Sequence, residues 1–328
     1  MPGQRQPLHL QGVRRRLDDG ERPSRRVEWS FVVTATWSTV ERVDAIGRED
    51  FYGEFVAQGK PVVIRNLTTD WRALDWTPEY FRRGGHTTKL GVKMGNVADG
   101  RREYVALSDY LESLAKHETQ VAEGTVTERP GYLHDVPLFG HFPDLKADVD
   151  PFPLHLLPEW YRPNWPDYTQ HFMGPTGSIT PLHFDTLLTN NLFFHLAGRK
   201  QFILIPAEQR ELCYTHGWRW ASFDPTAPDY DAFPRAAETT PVTVVLEPGE
   251  ILYMPPGTLH HVTNLSLTMS FNIDWHTAES ARRGMGSVFH GAPVQNGYYN
   301  LISYLGLGLG VPAKYAFPFY KSYLTYVS

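Results

Sequence analysis

Thr180-Pro181-Leu182-His183-Phe184-Asp185 is the stretch that decides how this chain of 328 residues is read. On a β-strand, residues i and i+2 point to the same face. His183 and Asp185 can then grip one ion with an imidazole and a carboxylate. The third donor is expected from a neighbouring strand. Ile251-Leu252-Tyr253-Met254 reads as an apolar strand leading into Pro255-Pro256-Gly257, and His260 and His261 follow that turn. Two imidazoles and one carboxylate on one face form the facial donor set of non-haem iron(II) centres, which leaves coordination positions open. A lone HxD is a weak signal in a chain with fourteen histidines. The strand context, the proline turn and the histidine after it form the specific pattern.

Working outward, short strands are expected at 170–173, 192–196, 201–205, 243–246, 251–254 and 268–273. Gly and Pro turns punctuate them, including Glu247-Pro248-Gly249-Glu250. Strands of this length and spacing predict an all-β core, a jelly-roll or double-stranded β-helix barrel. Helices are expected around this core. Asp50 to Gln58 carries Phe51, Phe55 and Val56 near one face. Thr77-Pro78-Glu79 is a helix start, with a capping threonine and proline at the first helical position. Residues 107–115 read as helix, 62–64 and 88–94 as strands, and 29–37 as a first strand. The eight prolines of residues 130–168 predict a connector of loops and short helices. The last fifty residues read as helical, with Tyr315, Phe317, Phe319, Tyr320, Tyr323 and Tyr326 as an aromatic tail. Gly306 to Gly310 reads as a turn or connector, because no strand and no lysine accompany it as a phosphate loop would require. The expected layout is a poorly ordered basic tail over 1–28, a catalytic domain over 29–276, and a helical segment over 277–328.

Composition narrows the function. Hydrophobic residues make up 41% and charged residues 20%, a globular profile. No apolar run is long enough to span a membrane, and the N-terminus lacks the apolar core of a signal peptide. Cys213 is the only cysteine, so an internal disulfide and a cysteine-rich metal site are excluded, and a reducing, cytoplasmic setting is expected. The formal charge of −5 divides into +4 over residues 1–27 and −9 over the rest. An acidic body argues against nucleic acid as a general partner, although the arginine-rich start could meet an anion.

Several motifs together carry a family resemblance. They are Thr180 to Asp185, Asn191, Gly198-Arg199-Lys200, Pro255 to His260 and Ser270-Phe271-Asn272. Phe223-Asp224-Pro225, Pro228-Asp229-Tyr230, Phe233-Pro234 and Lys60 to Ile64 with Trp71 add to them. In this combination, over residues 40–276, the chain resembles the JmjC/cupin-like (cupin 8) iron(II)- and 2-oxoglutarate-dependent oxygenases, on the branch that holds the factor-inhibiting-HIF asparaginyl hydroxylase. The resemblance implies that His183, Asp185 and His260 hold iron(II), with His261 facing away. It implies that Lys200 pairs with the distal carboxylate of 2-oxoglutarate, and that Thr180 and Tyr132 donate hydroxyl groups to it. Asn191 and Asn272 would hydrogen-bond near its metal-bound end. Two departures set this chain apart. The stretch between Asp185 and Asn191 is longer than in that branch, and Asp274 stands where the branch has a substrate-side tryptophan.

The implied activity is hydroxylation of an unactivated C–H bond, with O2 consumed and succinate and CO2 released. The substrate would be a protein or peptide side chain or a small metabolite. Alternatives are N-methyl-lysine demethylation, hydroxylation of an RNA base, and a non-catalytic cupin-like binding protein. The helical C-terminus of the related hydroxylase implies a homodimer through residues 277–328.

Overall fold

The computed structural model describes residues 37–83 and 88–320. The expected strand over 29–37, apart from Trp37, and the basic stretch 1–28 lie outside the described residues, as do Tyr323 and Tyr326.

Two sheets face each other, as the strand spacing predicts. The larger has nine strands in the order Glu41–Val43, Val62–Ile64, Ile251–Met254, Asn190–Ala197, Thr268–Trp275, Thr169–Gly174, Tyr132–Val136, Lys89–Lys93 and Arg102–Ala106. The smaller has six, in the order Thr215–His216, Trp220–Ala221, Ile179–His183, Leu259–Asn264, Lys200–Ile205 and Val242–Leu246. Every pairing is antiparallel except Glu41–Val43 with Val62–Ile64. The crossing connections, such as Ile251–Met254 between Val62–Ile64 and Asn190–Ala197, are those of a jelly roll.

Side-chain alternation explains why these strands are almost continuously apolar. Val63, Phe193, Leu252 and Met254 point between the sheets and pack on Phe202, Leu204, Val244 and Val262 of the smaller sheet. Their neighbours Val62, Ile64, Phe194, Ile251 and Tyr253 point outward into a second core under the helices. A sheet covered on both faces needs apolar residues at both parities. The outer core holds an aromatic stack in which Trp71 lies over Phe194, Phe152 and Phe271.

The helices form where their start signals stand. Thr77 accepts from the Tyr80 backbone N–H at 3.1 Å and caps helix Pro78–Arg83. Helix Leu107–Glu123 runs past the expected Ala115 to Gly124, whose φ of 68° ends it. The helix expected over Asp50 to Gln58 opens at Arg48 and continues as the π-helical turn Phe51–Val56. The C-terminal part holds helices Ala278–Met285, Val294–Leu307 and Ala313–Tyr320. Gly306 lies inside the second of these, so the connector expected from Gly306 shrinks to the residues after Leu307. Tyr132–Val136, within the proline-rich region, is a strand and not the expected loop.

Candidate active site

A β-bulge brings the donor residues together. His183 pairs with His260, but Thr180 pairs with Val262, so strand Ile179–His183 carries one extra residue. Pro181 sits in that bulge, where a residue without an N–H does the least harm to the ladder. The bulge puts Thr180 and His183 on one face although they are three apart. Strand Ile179–His183 ends at His183, and Asp185 lies just beyond it. The loop after the strand, and not the strand's own alternation, therefore aims the carboxylate. His260 likewise belongs to a strand of its own, Leu259–Asn264, and not to the end of the preceding one. Alternation with inward Val262 turns His260 inside and His261 outside. Nε2 of His261 is 3.9 Å from Asp224 in the insert between the donor strands.

One ligand atom from each of His183, Asp185 and His260 lies within 4.8 Å of the others. Both imidazoles are oriented by backbone. His183 Nδ1 is 2.8 Å from the Pro181 carbonyl, and His260 Nδ1 is 3.1 Å from that of Thr258. Each Nδ1–H donates to its carbonyl, which leaves Nε2 as the ring nitrogen on the pocket side. Burial, with His260 and Arg219 nearby, holds the His183 imidazole well below the usual histidine range. It is therefore neutral, as a ligand must be. Asp185 presents Oδ1 at 3.8 Å from His260 Nε2, while Asn191 donates to its Oδ2 at 3.1 Å.

The pocket around this set has an empty volume of about 600 Å³, counting its open mouth, and Tyr132, Thr180, Lys200 and Asn272 also line it. Lys200 starts strand Lys200–Ile205 on the parity of inward Phe202 and Leu204, so its side chain enters the barrel. It is fully buried. Nζ donates to the Tyr132 hydroxyl at 3.0 Å and to Ser270 at 3.1 Å, and lies 5.0 Å from the ring centre of Phe193. No carboxylate among the described residues forms an ion pair with it. Burial pulls its ammonium down to about 7. A buried cation held only by hydroxyls and ring faces calls for an anion.

Beside it runs a chain of polar contacts that the sequence does not announce. Lys93 Nζ donates to Asp135 at 2.8 Å, and His134 Nδ1 lies 2.8 Å from the same oxygen. His134 Nε2 is 3.3 Å from the Thr180 hydroxyl. Burial lowers His134 to about 4, so the ring is neutral. His134 Nδ1 also lies 3.2 Å from Lys93 Nζ, so the single ring proton sits either on Nδ1 toward Asp135 or on Nε2 toward Thr180. Burial pushes the Asp135 carboxyl up, but His134 and Lys93 outweigh this and hold it well below the carboxylate range. Arg219, Gln170 and Asp274 complete the wall. Motif spacing gives no hint of His134, Asp135, Gln170 or Arg219. Ser270 sits in the quoted motif, and its parity with Asn272 marks it as inward.

The residues expected from sequence thus lie in one place: His183, Asp185 and His260 as a group that could hold a metal ion, with Lys200, Tyr132, Thr180 and Asn272 around them and Asn191 bonded to Asp185. No helix among the described residues is long and apolar enough to cross a membrane.

A family model described as a cupin-like domain matches residues 48–281. Among similar proteins is the arginine-specific demethylase JMJ20 of Arabidopsis thaliana, 29% identical over 267 residues, covering 73% of this chain and 57% of that protein. The 2-oxoglutarate and iron-dependent oxygenase JMJD4 of Gallus gallus is 27% identical over 278 residues, covering 76% and 63%. The lysine-specific demethylase 8 of Xenopus tropicalis is 25% identical over 236 residues, covering 69% and 50%. The match thus spans between half and two-thirds of the length of these relatives.

Proposed function

The chain belongs to the cupin-like domain family, and from that premise we propose that it is an iron(II)- and 2-oxoglutarate-dependent oxygenase that hydroxylates an unactivated C–H bond. The observation that carries this reading is the presence, in one pocket, of a His183–Asp185–His260 donor set and a buried lysine with no counter-charge among the described residues. The donor chemistry suits the metal: two imidazoles whose Nδ1–H groups are fixed on backbone carbonyls, and one carboxylate oxygen. Lys200 suits the co-substrate, a dianion whose distal carboxylate needs a cation away from the metal. Iron(II) with 2-oxoglutarate and O2, when bound, supplies oxidative decarboxylation to succinate and CO2 and the power to break a C–H bond.

The chain's own residues do the positioning. His183, Asp185 and His260 would hold the metal. Lys200, steadied by Tyr132 and Ser270, neutralises the distal carboxylate. Phe172, Phe193 and Tyr132 surround the ammonium and exclude water, which strengthens that pairing. Thr180 can turn its hydroxyl from His134 to the carboxylate when the anion arrives. Asn191 acts on Asp185, and Asn272 faces the pocket.

The names of the relatives, arginine- and lysine-specific demethylases, support a protein or peptide side chain as substrate over a small metabolite. They also support N-methyl removal as the second reading, since hydroxylation of an N-methyl group gives a carbinol that releases formaldehyde. The complete donor set with Lys200 argues against a binding protein without turnover. For the domain arrangement, a catalytic body over 29–276 and a helical segment over 277–328, the family match over 48–281 is support for the body alone. A homodimer through that segment is supported by exposed Val294, Tyr298 and Leu301 at helical spacing, with exposed Tyr315 and Phe319 on the next helix. The lone, buried Cys213 supports a reducing, cytoplasmic setting.

The test uses Mn(II), which does not turn over. Thermal melting with Mn(II) should show stabilisation by 2-oxoglutarate in the parent and none in Lys200→Ala, whose metal response should persist. Equal stabilisation of both proteins by 2-oxoglutarate would overturn the assignment.

A further inference from the structure

We propose that Asp274 is a positioning residue for the metal-binding carboxylate: through Asn191 it fixes which oxygen of Asp185 faces the metal. This rests on reading His183, Asp185 and His260 as the metal donors.

Asp274 and Asn191 are directly opposite on strands Thr268–Trp275 and Asn190–Ala197. Asn191 Nδ2 donates to Asp274 Oδ1 at 3.0 Å and to Asp185 Oδ2 at 3.1 Å. An amide nitrogen carries two protons, and here each goes to a different carboxylate. Asn272 Nδ2 adds a longer contact of 3.4 Å to the same Asp274 oxygen. A carboxylate oxygen accepts from an amide, so Asp274 Oδ1 turns both amide NH2 groups toward itself. The carbonyl oxygens of Asn191 and Asn272 are left buried and without a partner among the described residues. Turning Asn191 over would set its carbonyl against two carboxylate oxygens at once. The amide is therefore locked. Asp185 Oδ2 is committed to it, and Oδ1 is left for the metal beside His260 Nε2. Binding through one oxygen preserves the open positions that a facial donor set needs. Ligand-orienting partners of this kind govern metal affinity.

The experiment titrates the full chain with Co(II), whose visible absorption reports coordination number. Asp274→Leu should raise the Co(II) Kd by about tenfold or more and shift the spectrum, as Asp185 becomes free to bind through both oxygens, whereas Asp274→Asn, which keeps an acceptor, should stay within about threefold. In an Asn191→Ala background Asp274→Leu should change the Kd by less than about twofold, because the intermediary is gone. Parent affinity and parent spectrum in Asp274→Leu would overturn the role. So would a tenfold loss that persists without Asn191, or a loss in Asp274→Asn as large as in Asp274→Leu, which would make charge the cause. A parent protein that takes up no Co(II) would overturn the metal-site reading itself, and the positioning role with it.

Discussion

His260 lies directly across the ladder from His183, with ring centres 4.2 Å apart. Each gives its Nδ1–H to the carbonyl of the residue two positions earlier, so both Nε2 atoms are aimed by backbone that the strands already fix. The neighbouring His261 has the opposite parity and reaches Asp224. A histidine pair that sequence alone leaves ambiguous is thus split into one pocket-facing ring and one outer-face residue.

Replacing either member of that pair should give opposite results. His260→Ala should remove tight Mn(II) uptake, measured by the loss of the free-ion EPR signal. His261→Ala should leave the affinity within about twofold, as expected of a side chain outside the ligand shell. Loss of uptake in His261→Ala with retention in His260→Ala would reverse the assignment.

The buried ammonium of Lys200 makes both stability and binding depend on pH. Its folded value of about 7 lies below the ordinary lysine value of 10.5. Between these two values the unfolded chain holds more protons, so ligand-free stability should rise with pH across that window. Lys200→Met should flatten the rise in urea titrations. A bound dianion favours the charged lysine, so at pH 8 binding of 2-oxoglutarate with Mn(II) should take up a proton. Calorimetry in two buffers of different ionisation enthalpy reads this uptake. A heat independent of buffer would contradict it.

Gly198 sets the turn that delivers Lys200 to the barrel. Its φ is 76°, and a Cβ there would collide with the Leu267 carbonyl oxygen. Gly198→Ala should cost about 2 kcal/mol or more, from the strained backbone and the clash together. Chemical denaturation measures it, and a change below about 0.5 kcal/mol, typical of an unconstrained surface site, would count against the close approach.

The C-terminal helices carry the dimer proposal. Val294, Tyr298 and Leu301 follow one another along one face, and the Tyr298 hydroxyl donates to the Phe319 carbonyl on the next helix. Tyr298→Glu combined with Leu301→Glu should halve the mass seen by light scattering without lowering the melting temperature of the barrel core. A parent protein that is monomeric at micromolar concentration would remove the proposal.

The barrel was legible because its strands are short, apolar and bounded by Gly and Pro. Leu192 to Leu196 and Ile251 to Met254 are buried on both faces, so they stand out as runs. Strand Leu259–Asn264 was hidden by polar His260, His261, Thr263 and Asn264, which periodicity scores as loop. Tyr132–Val136 was hidden by the prolines around it and by the bulge at Asp135, whose φ is 59°. The site was legible where chemistry repeats a motif, at His183, Asp185, His260 and Lys200. It was not legible where contact is made across the fold, as in the chain from Lys93 through Asp135 and His134 to Thr180. For Asp185 the local reason differs from the one strand alternation suggests, since the strand ends at His183 and the loop after it directs the carboxylate.

The most direct test adds iron(II) and 2-oxoglutarate to the purified protein without oxygen. A weak metal-to-ligand charge-transfer band should appear in the visible, require both additions, and be absent in His183→Ala. A folded protein that binds iron(II) but shows no such band with 2-oxoglutarate would contradict the assignment of the pocket.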